Sequence, residues 1–298
     1  MNKLLLNSPM FVNWNYTYKC NFNCNHCYSR DRIDLEELSF QQKLIIADNL
    51  IRNKVFSVNL GGGEPLLCDD CFDIIQYFRK RKVNVNLSTN GWKISNDSIN
   101  RLKKIDLSGV SISLDSCCPE KHDNLRNKKG SFEEACSAMQ RFADLGIFVH
   151  VSTVITQDNF YELKSIIEHC QKLGVQGVAL KRLKTMGNAS EMKNKDLTLE
   201  QQRLLYEQIP IWKKEFPMSI NLVYGAKQIT GIDAGCPCGK TALAIMCNGD
   251  ISPCVYNIHV IGNALVDDIH DVWVNSKELN YLRTHFECLG LANSKPTE

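Results

Sequence analysis

From Phe11 to Leu180 the chain repeats one unit, in which a stretch with apolar residues at helical spacing is followed by a short, apolar, β-prone run. The first strand is read at Phe11 to Tyr18. Helix Glu36 to Arg52, with Ser39 as its N-cap, then precedes strand Val55 to Leu60. Helix Asp69 to Arg81 precedes strand Val83 to Ser88, and helix Asn96 to Lys104 precedes strand Gly109 to Leu114. Helix Ser131 to Leu145 leads to strand Ile147 to Ile155, and helix Phe160 to Leu173 to strand Val175 to Leu180. Strands separated by whole helices cannot pair as hairpins, so the repeat requires parallel strands joined by crossovers. Six such strands curl toward a (βα)6 partial barrel of TIM type that does not close, and chemistry gathers at the C-terminal strand ends.

The chain has 298 residues and a mass of 33.9 kDa, which exceeds one domain of about 150 residues and suits a barrel-type domain with an appendage. A formal net charge of +2 argues against a nucleic-acid partner. The opening Met1-Asn-Lys-Leu-Leu-Leu is too short an apolar run for a signal sequence, and no later stretch approaches the ~18 apolar residues of a membrane span. A cytoplasmic location with no membrane partner is expected. Fourteen cysteines in a chain without an export signal point to metal ligands rather than disulfides.

Three of those cysteines follow the first strand as Cys20-x3-Cys24-x2-Cys27. A loop this short can aim three thiolates at one iron–sulfur cluster, leaving one iron of a [4Fe–4S] cluster without a protein ligand. A zinc knuckle with His26 as a fourth ligand is the alternative on spacing alone. The second signal is Gly61-Gly62-Gly63-Glu64-Pro65, directly after the second strand. Glycines there let the backbone approach a ligand closely.

In this order the two motifs resemble the radical S-adenosylmethionine (SAM) enzymes, whose hallmark is CxxxCxΦC followed by GGE after strand two. His26 stands at the aromatic-type position. The resemblance implies the partial barrel, a [4Fe–4S] cluster on Cys20, Cys24 and Cys27, and SAM on its open iron. It implies that Gly62, Gly63 and Glu64 meet the SAM amino group and that His26 adjoins the cofactor. Asn90, in Thr89-Asn90-Gly91, is placed beside the cofactor pocket. Ser113 and Asp115, at alternate positions of Ser113-Leu114-Asp115, are placed at cofactor or substrate, and Arg182 near the SAM carboxylate. Without the resemblance each has a plain reading as a turn, a cap or a solvated charge. Cys68 and Cys71, and Cys117, Cys118, Cys136 and Cys170, are read as structural.

Residues 1–188 are expected to form the barrel, 189–234 a linker and helix, and 235–298 a second module. In the module, Cys236, Cys238, Cys247 and Cys254 flank Asn248-Gly249, a strong hairpin signal between apolar runs. Gly249-x4-Cys254 resembles the start of a SPASM/Twitch auxiliary-cluster domain. The dense cysteine run of a complete SPASM tail is missing, leaving Cys288 alone. The resemblance therefore implies one auxiliary [4Fe–4S] cluster on Cys236, Cys254 and Cys288, with Cys238, Cys247 or a substrate atom as fourth ligand. An empty domain and zinc on the same thiols are the alternatives.

The activity so implied is one-electron reduction of bound SAM to methionine and a 5′-deoxyadenosyl radical, which takes hydrogen from the substrate. A reductant such as flavodoxin or ferredoxin is the expected partner. The substrate expected from the resemblance is a ribosomally made peptide, cross-linked, epimerised or oxidised. A first strand beginning near residue 11, with no extra recognition domain before it, opposes that reading. The runner-up is a small-molecule dehydrogenase or cofactor-biosynthesis enzyme, and a third class is a non-enzymatic iron–sulfur or zinc scaffold.

Overall fold

In the computed structural model, residues 6–223, 236–257 and 259–284 are described. In chain order the elements begin with β1 (Phe11–Thr17), α1 (Phe40–Arg52), β2 (Ser57–Gly62), α2 (Cys71–Lys80) and β3 (Asn84–Thr89). There follow α3 (Asn96–Lys104), β4 (Gly109–Ser113), α4 (Pro119–Arg126), α5 (Ser131–Asp144) and β5 (Val149–Ile155). Next come α6 (Leu163–Lys172), β6 (Gly177–Arg182), α7 (Leu199–Glu215) and β7 (Ser219–Val223). The last are β8 (Ala242–Ile245), β9 (Asp250–Ser252), β10 (Gly262–Asn263), α8 (Ile269–Asn275) and α9 (Lys277–Thr284). Two compact units emerge: Met1–Lys19 with Ile33–Asn86 and Gly235–Glu298, and Cys20–Arg32 with Leu87–Ala234.

In the first unit β1 pairs in parallel with β2 on one side and β8 on the other, Trp14 standing opposite Leu60 and Ile245. β8, β9 and β10 then run antiparallel. The β8–β9 turn is the expected Asn248-Gly249 hairpin, with Gly249 at φ +90° and the Met246 amide donating to the Asp250 carbonyl at 2.8 Å. Trp14 packs edge-on against Tyr16 and Phe78, with Ile46, Leu50, Ile74 and Ile75 also fully buried. Aromatic pairs of this geometry add to area burial, so this cluster anchors α1 and α2 on β1 and β2. α1 begins at Phe40 rather than Glu36, because Ser39 and Gln42 form a capping box and Glu37 instead accepts from Thr17 Oγ1 (2.5 Å) and the Tyr18 amide (3.0 Å).

In the second unit β4, β5, β6 and β7 are all parallel, and the strands alternate core and inner faces: Val149, Val151 and Ile155 are fully buried while His150, Ser152 and Val154 are half-buried. The α/β class with parallel strands and a C-terminal hairpin therefore stands. Two elements go beyond the sequence reading. α4 fills what reads as a loop after β4, and β7 adds a seventh parallel strand after α7, its Ser-Ile-Asn-Leu-Val too short and polar to stand out. The stretch expected as a linker is largely 3-10 helix over Gly187–Lys195.

Candidate active site

The cysteine loop is shaped by backbone contacts from its own unit. The Cys27 amide donates to the Cys24 carbonyl at 3.2 Å and the Asn25 amide to Leu125 at 3.0 Å. Asn188 closes the other side, its amide donating to the Cys27 carbonyl and its side chain to the Cys24 carbonyl, both at 2.9 Å. Gly187, at φ +54°, makes this approach possible, since a Cβ there would lie 2.6 Å from the Cys27 carbonyl oxygen. All three thiols are half-buried, and the Phe22 amide donates to Cys20 Sγ at 3.4 Å. Asn90 braces the loop from β3, donating to Asn21 Oδ1 at 2.8 Å, and Phe22 packs edge-on against Trp92.

Behind the loop lies a buried polar network. Asp115 is fully buried and accepts on Oδ2 from Arg126 Nε (2.7 Å) and Nη2 (2.6 Å), and on Oδ1 from the Val154 amide (2.8 Å). Burial pushes its carboxyl up, but Arg126, His26 and His122 outweigh that and hold it below its usual range. His26 Nε2 is 3.8 Å from Asp115 Oδ2, and His122 Nδ1 accepts from the Asp115 amide at 3.2 Å. Burial pulls both imidazoles down to about 4, so at neutral pH neither is charged and the His26 contact is not an ion pair. His26 Nδ1 is buried and makes no hydrogen bond among the described residues. Arg126 Nη1 reaches Cys24 Sγ at 4.0 Å. Burial raises the Cys24 thiol above its ordinary value, and Arg126 is the strongest influence lowering it.

Both Asp115 carboxylate oxygens are thus engaged within the chain, and Oδ2 fixes Arg126. Arg182 is likewise engaged within the chain. Its Nε and Nη2 engage both oxygens of Asp196 at 3.1 Å and 2.7 Å, which ties β6 to the segment before α7. Its neighbour Lys181 faces the other way, half-buried near Asp115 and Arg126, and burial lowers its ammonium. Ser113 is half-buried, and its hydroxyl makes no hydrogen bond among the described residues. Arg126, His122 and Lys181 were missed from sequence. Pro119 at a helix N1 position and His122 and Arg126 four residues apart on one face were the available signals.

In the first unit the Gly61–Glu64 stretch lies against the end of β1. The Gly63 amide donates to the Thr17 carbonyl at 2.7 Å and the Glu64 amide to the Lys19 carbonyl at 2.8 Å. A Cβ on Gly63 would sit 2.8 Å from the Lys19 carbonyl carbon, with its oxygen nearer still, and Gly62 is at φ +98°. Both glycines are thus required where β2 ends. Glu64 is buried and caps the 3-10 turn Pro65–Leu67, Oε1 accepting from the Leu66 amide at 3.2 Å.

Of the auxiliary candidates, Cys238 is in hydrogen-bond contact with both Cys236 and Cys254. Those contacts hold the Cys238 thiol well above its ordinary value and lower that of Cys254. Cys247 turns elsewhere, packing with Tyr18, Ala244 and Met246, and burial pushes it up to about 12. Cys288 lies outside the described residues. Cys68 is half-buried and Cys71 fully buried at the start of α2, and burial raises both thiols. Among the described residues no three His, Cys, Asp or Glu side chains gather around one metal-ion position, and His26 faces Asp115 rather than a fourth zinc position. Three half-buried thiols on one short loop fit an iron–sulfur cluster with three protein ligands and one open position.

Residues 14–170 match the radical SAM superfamily and residues 236–294 an iron–sulfur cluster-binding domain of SPASM type. The chain is 33% identical over 290 residues to the mycofactocin maturase MftC of Mycobacterium tuberculosis, spanning 93% of this chain and 73% of that protein. It is 30% identical over 251 residues to the antilisterial bacteriocin subtilosin biosynthesis protein AlbA of Bacillus subtilis, spanning 83% of this chain and 55% of that one. The fold matches SuiB of Streptococcus suis bound to its precursor peptide SuiA, with a TM-score of 0.79 at 20% identity over 94% of this chain and 68% of that chain. The chain belongs to the radical SAM superfamily. It is an enzyme whose cofactors are a [4Fe–4S] cluster, SAM and auxiliary iron–sulfur. No described helix is long and apolar enough to cross a membrane.

Proposed function

We propose that this enzyme matures a ribosomally made peptide, using Cys20, Cys24 and Cys27 for the cluster that binds SAM. The observation that carries the peptide reading is the likeness to a maturase over 93% of the chain. When bound, the cluster and SAM together supply a 5′-deoxyadenosyl radical that abstracts hydrogen from an unactivated carbon. The chain's own residues hold and orient. Gly62, Gly63 and Glu64 take the SAM amino group. His26, Asn90 and Ser113 border the cofactor, and Asp115 fixes Arg126. Cys236, Cys238 and Cys254, with Cys288, are the ligands offered to one auxiliary cluster. The electron comes from a flavodoxin- or ferredoxin-class protein.

The test is anaerobic incubation with SAM, reductant and the short peptides encoded beside the gene, read by mass spectrometry in light and heavy water. A peptide that loses hydrogen, or gains deuterium at one residue, supports maturation. Unmodified peptides, together with 5′-deoxyadenosine release driven by an alcohol or a tetrapyrrole, would overturn it in favour of small-molecule chemistry.

A further inference from the structure

The Arg126 guanidinium has a geometry that its ion pair alone does not require. Nε and Nη2 are both spent on Asp115 Oδ2, at 2.7 Å and 2.6 Å, which turns Nη1 outward to Cys24 Sγ at 4.0 Å. At that length the contact is electrostatic rather than a formed hydrogen bond. The anchor cannot swing: Asp115 is fully buried, its Oδ1 takes the Val154 amide, its amide bonds His122 and its carbonyl accepts from Asn159 Nδ2 at 2.8 Å. Arg126 itself is buried, so its charge is poorly screened. The guanidinium stands between the carboxylate and the sulfur, and it acts on Cys24 more strongly than Asp115 does.

We infer that Arg126, held by Asp115, is a positioning residue that places a fixed positive charge at Cys24 and thereby eases one-electron reduction of the cluster held there. This rests on the assignment of Cys20, Cys24 and Cys27 as cluster ligands. Reduction adds one electron, delivered by the external reductant, and breaks no bond. The added negative charge is stabilised by a neighbouring cation and opposed by a neighbouring anion, so the two members of the pair pull the potential in opposite directions.

The experiment uses the full chain, anaerobically reconstituted, without SAM and poised at the wild-type midpoint, with the reduced cluster read by electron paramagnetic resonance. The Cys236→Ala/Cys254→Ala background isolates the signal. Arg126→Gln is expected to lower the reduced-to-oxidised ratio about tenfold, equivalent to about 59 mV for one electron. Arg126→Lys should recover most of that shift, and Asp115→Asn should move the ratio upward. Lys164→Gln, which removes an exposed cation paired with Glu215, should leave it unchanged. If Arg126→Gln retains no iron, the sign of the Asp115→Asn shift decides. Shifts of the same sign in Arg126→Gln and Asp115→Asn, or none in either, overturn the inference. A wild-type protein with no reducible cluster overturns the ligand assignment instead.

Discussion

Replacing Gly63 with alanine should destabilise the first unit by several kcal/mol, for a steric reason alone. Gly63 is not in the left-handed region, so alanine carries no dihedral penalty there. Its Cβ would lie 2.8 Å from the Lys19 carbonyl carbon and 2.9 Å from that of Tyr18. These are backbone atoms and cannot rotate away. Overpacking of this kind costs ~1–3 kcal/mol. Moving the strand end apart also weakens the Gly63–Thr17 and Glu64–Lys19 hydrogen bonds, at ~0.5–1.5 kcal/mol each. The sum, about 2–6 kcal/mol, corresponds to a midpoint lowered by about 3–10 °C for a chain of 298 residues, at an unfolding entropy of ~2.1 cal/mol/K per residue. Thermal unfolding by circular dichroism, anaerobically, beside Gly146→Ala, is the assay. Gly146 sits at φ +67° with only the end of Lys103 near, at 3.9 Å, so that variant bears just the left-handed cost of ~1–2 kcal/mol. Because Lys19 adjoins Cys20, Gly63→Ala should also retain less iron. A Gly63→Ala midpoint equal to wild type, with full iron, would mean that the Tyr18 and Lys19 carbonyls yield to a Cβ at no cost.

Cys238→Ala should lose auxiliary iron, whereas Cys247→Ala should keep it and lose only packing stability; iron analysis with urea unfolding separates the two, and the reverse pattern would reassign the ligand. Stability should fall between about pH 6.5 and pH 4, because unfolded imidazoles bind protons there while His26 and His122, held at about 4, do not. The slope is at most about 1.4 kcal/mol per pH unit for each histidine, and His122→Gln should flatten the urea midpoint measured from pH 7.5 to 5. Asp115 acts in the same direction in a lower window: its contribution is full above the unfolded value of about 3.9 and is lost as pH falls through its depressed folded value. Asp196→Asn should cost ~1–2 kcal/mol in urea unfolding, since the pair is part-buried, and leave equilibrium SAM affinity within about twofold; a tenfold loss of affinity would return Arg182 to the cofactor.

Much of the fold was legible because each βα repeat carries its own local signals: Ser39 as a cap, apolar residues at two periods, and Asn248-Gly249 at a hairpin. β7 was not, because a short strand reads as a strand only through its pairing with β6. The cysteine loop and the glycines were legible because ligation and close backbone approach demand particular residue types at fixed spacing. Their supports were not. Nothing in Ser113-Leu114-Asp115 announces the Arg126 guanidinium, eleven residues later and 2.7 Å from Asp115. Arg182 and Lys181 show the same limit. Adjacent cations on a strand face opposite ways, and only the tertiary structure shows that Asp196 takes one of them.

The central claim is that Cys20, Cys24 and Cys27 hold the cluster at which SAM is cleaved. It is tested most directly by iron, sulfide and 5′-deoxyadenosine assays on anaerobically reconstituted wild type and the Cys20/Cys24/Cys27→Ala triple variant. The variant should contain about four fewer irons per chain, keep its auxiliary iron and release no 5′-deoxyadenosine. Full iron in the variant, or 5′-deoxyadenosine release undiminished, would contradict it.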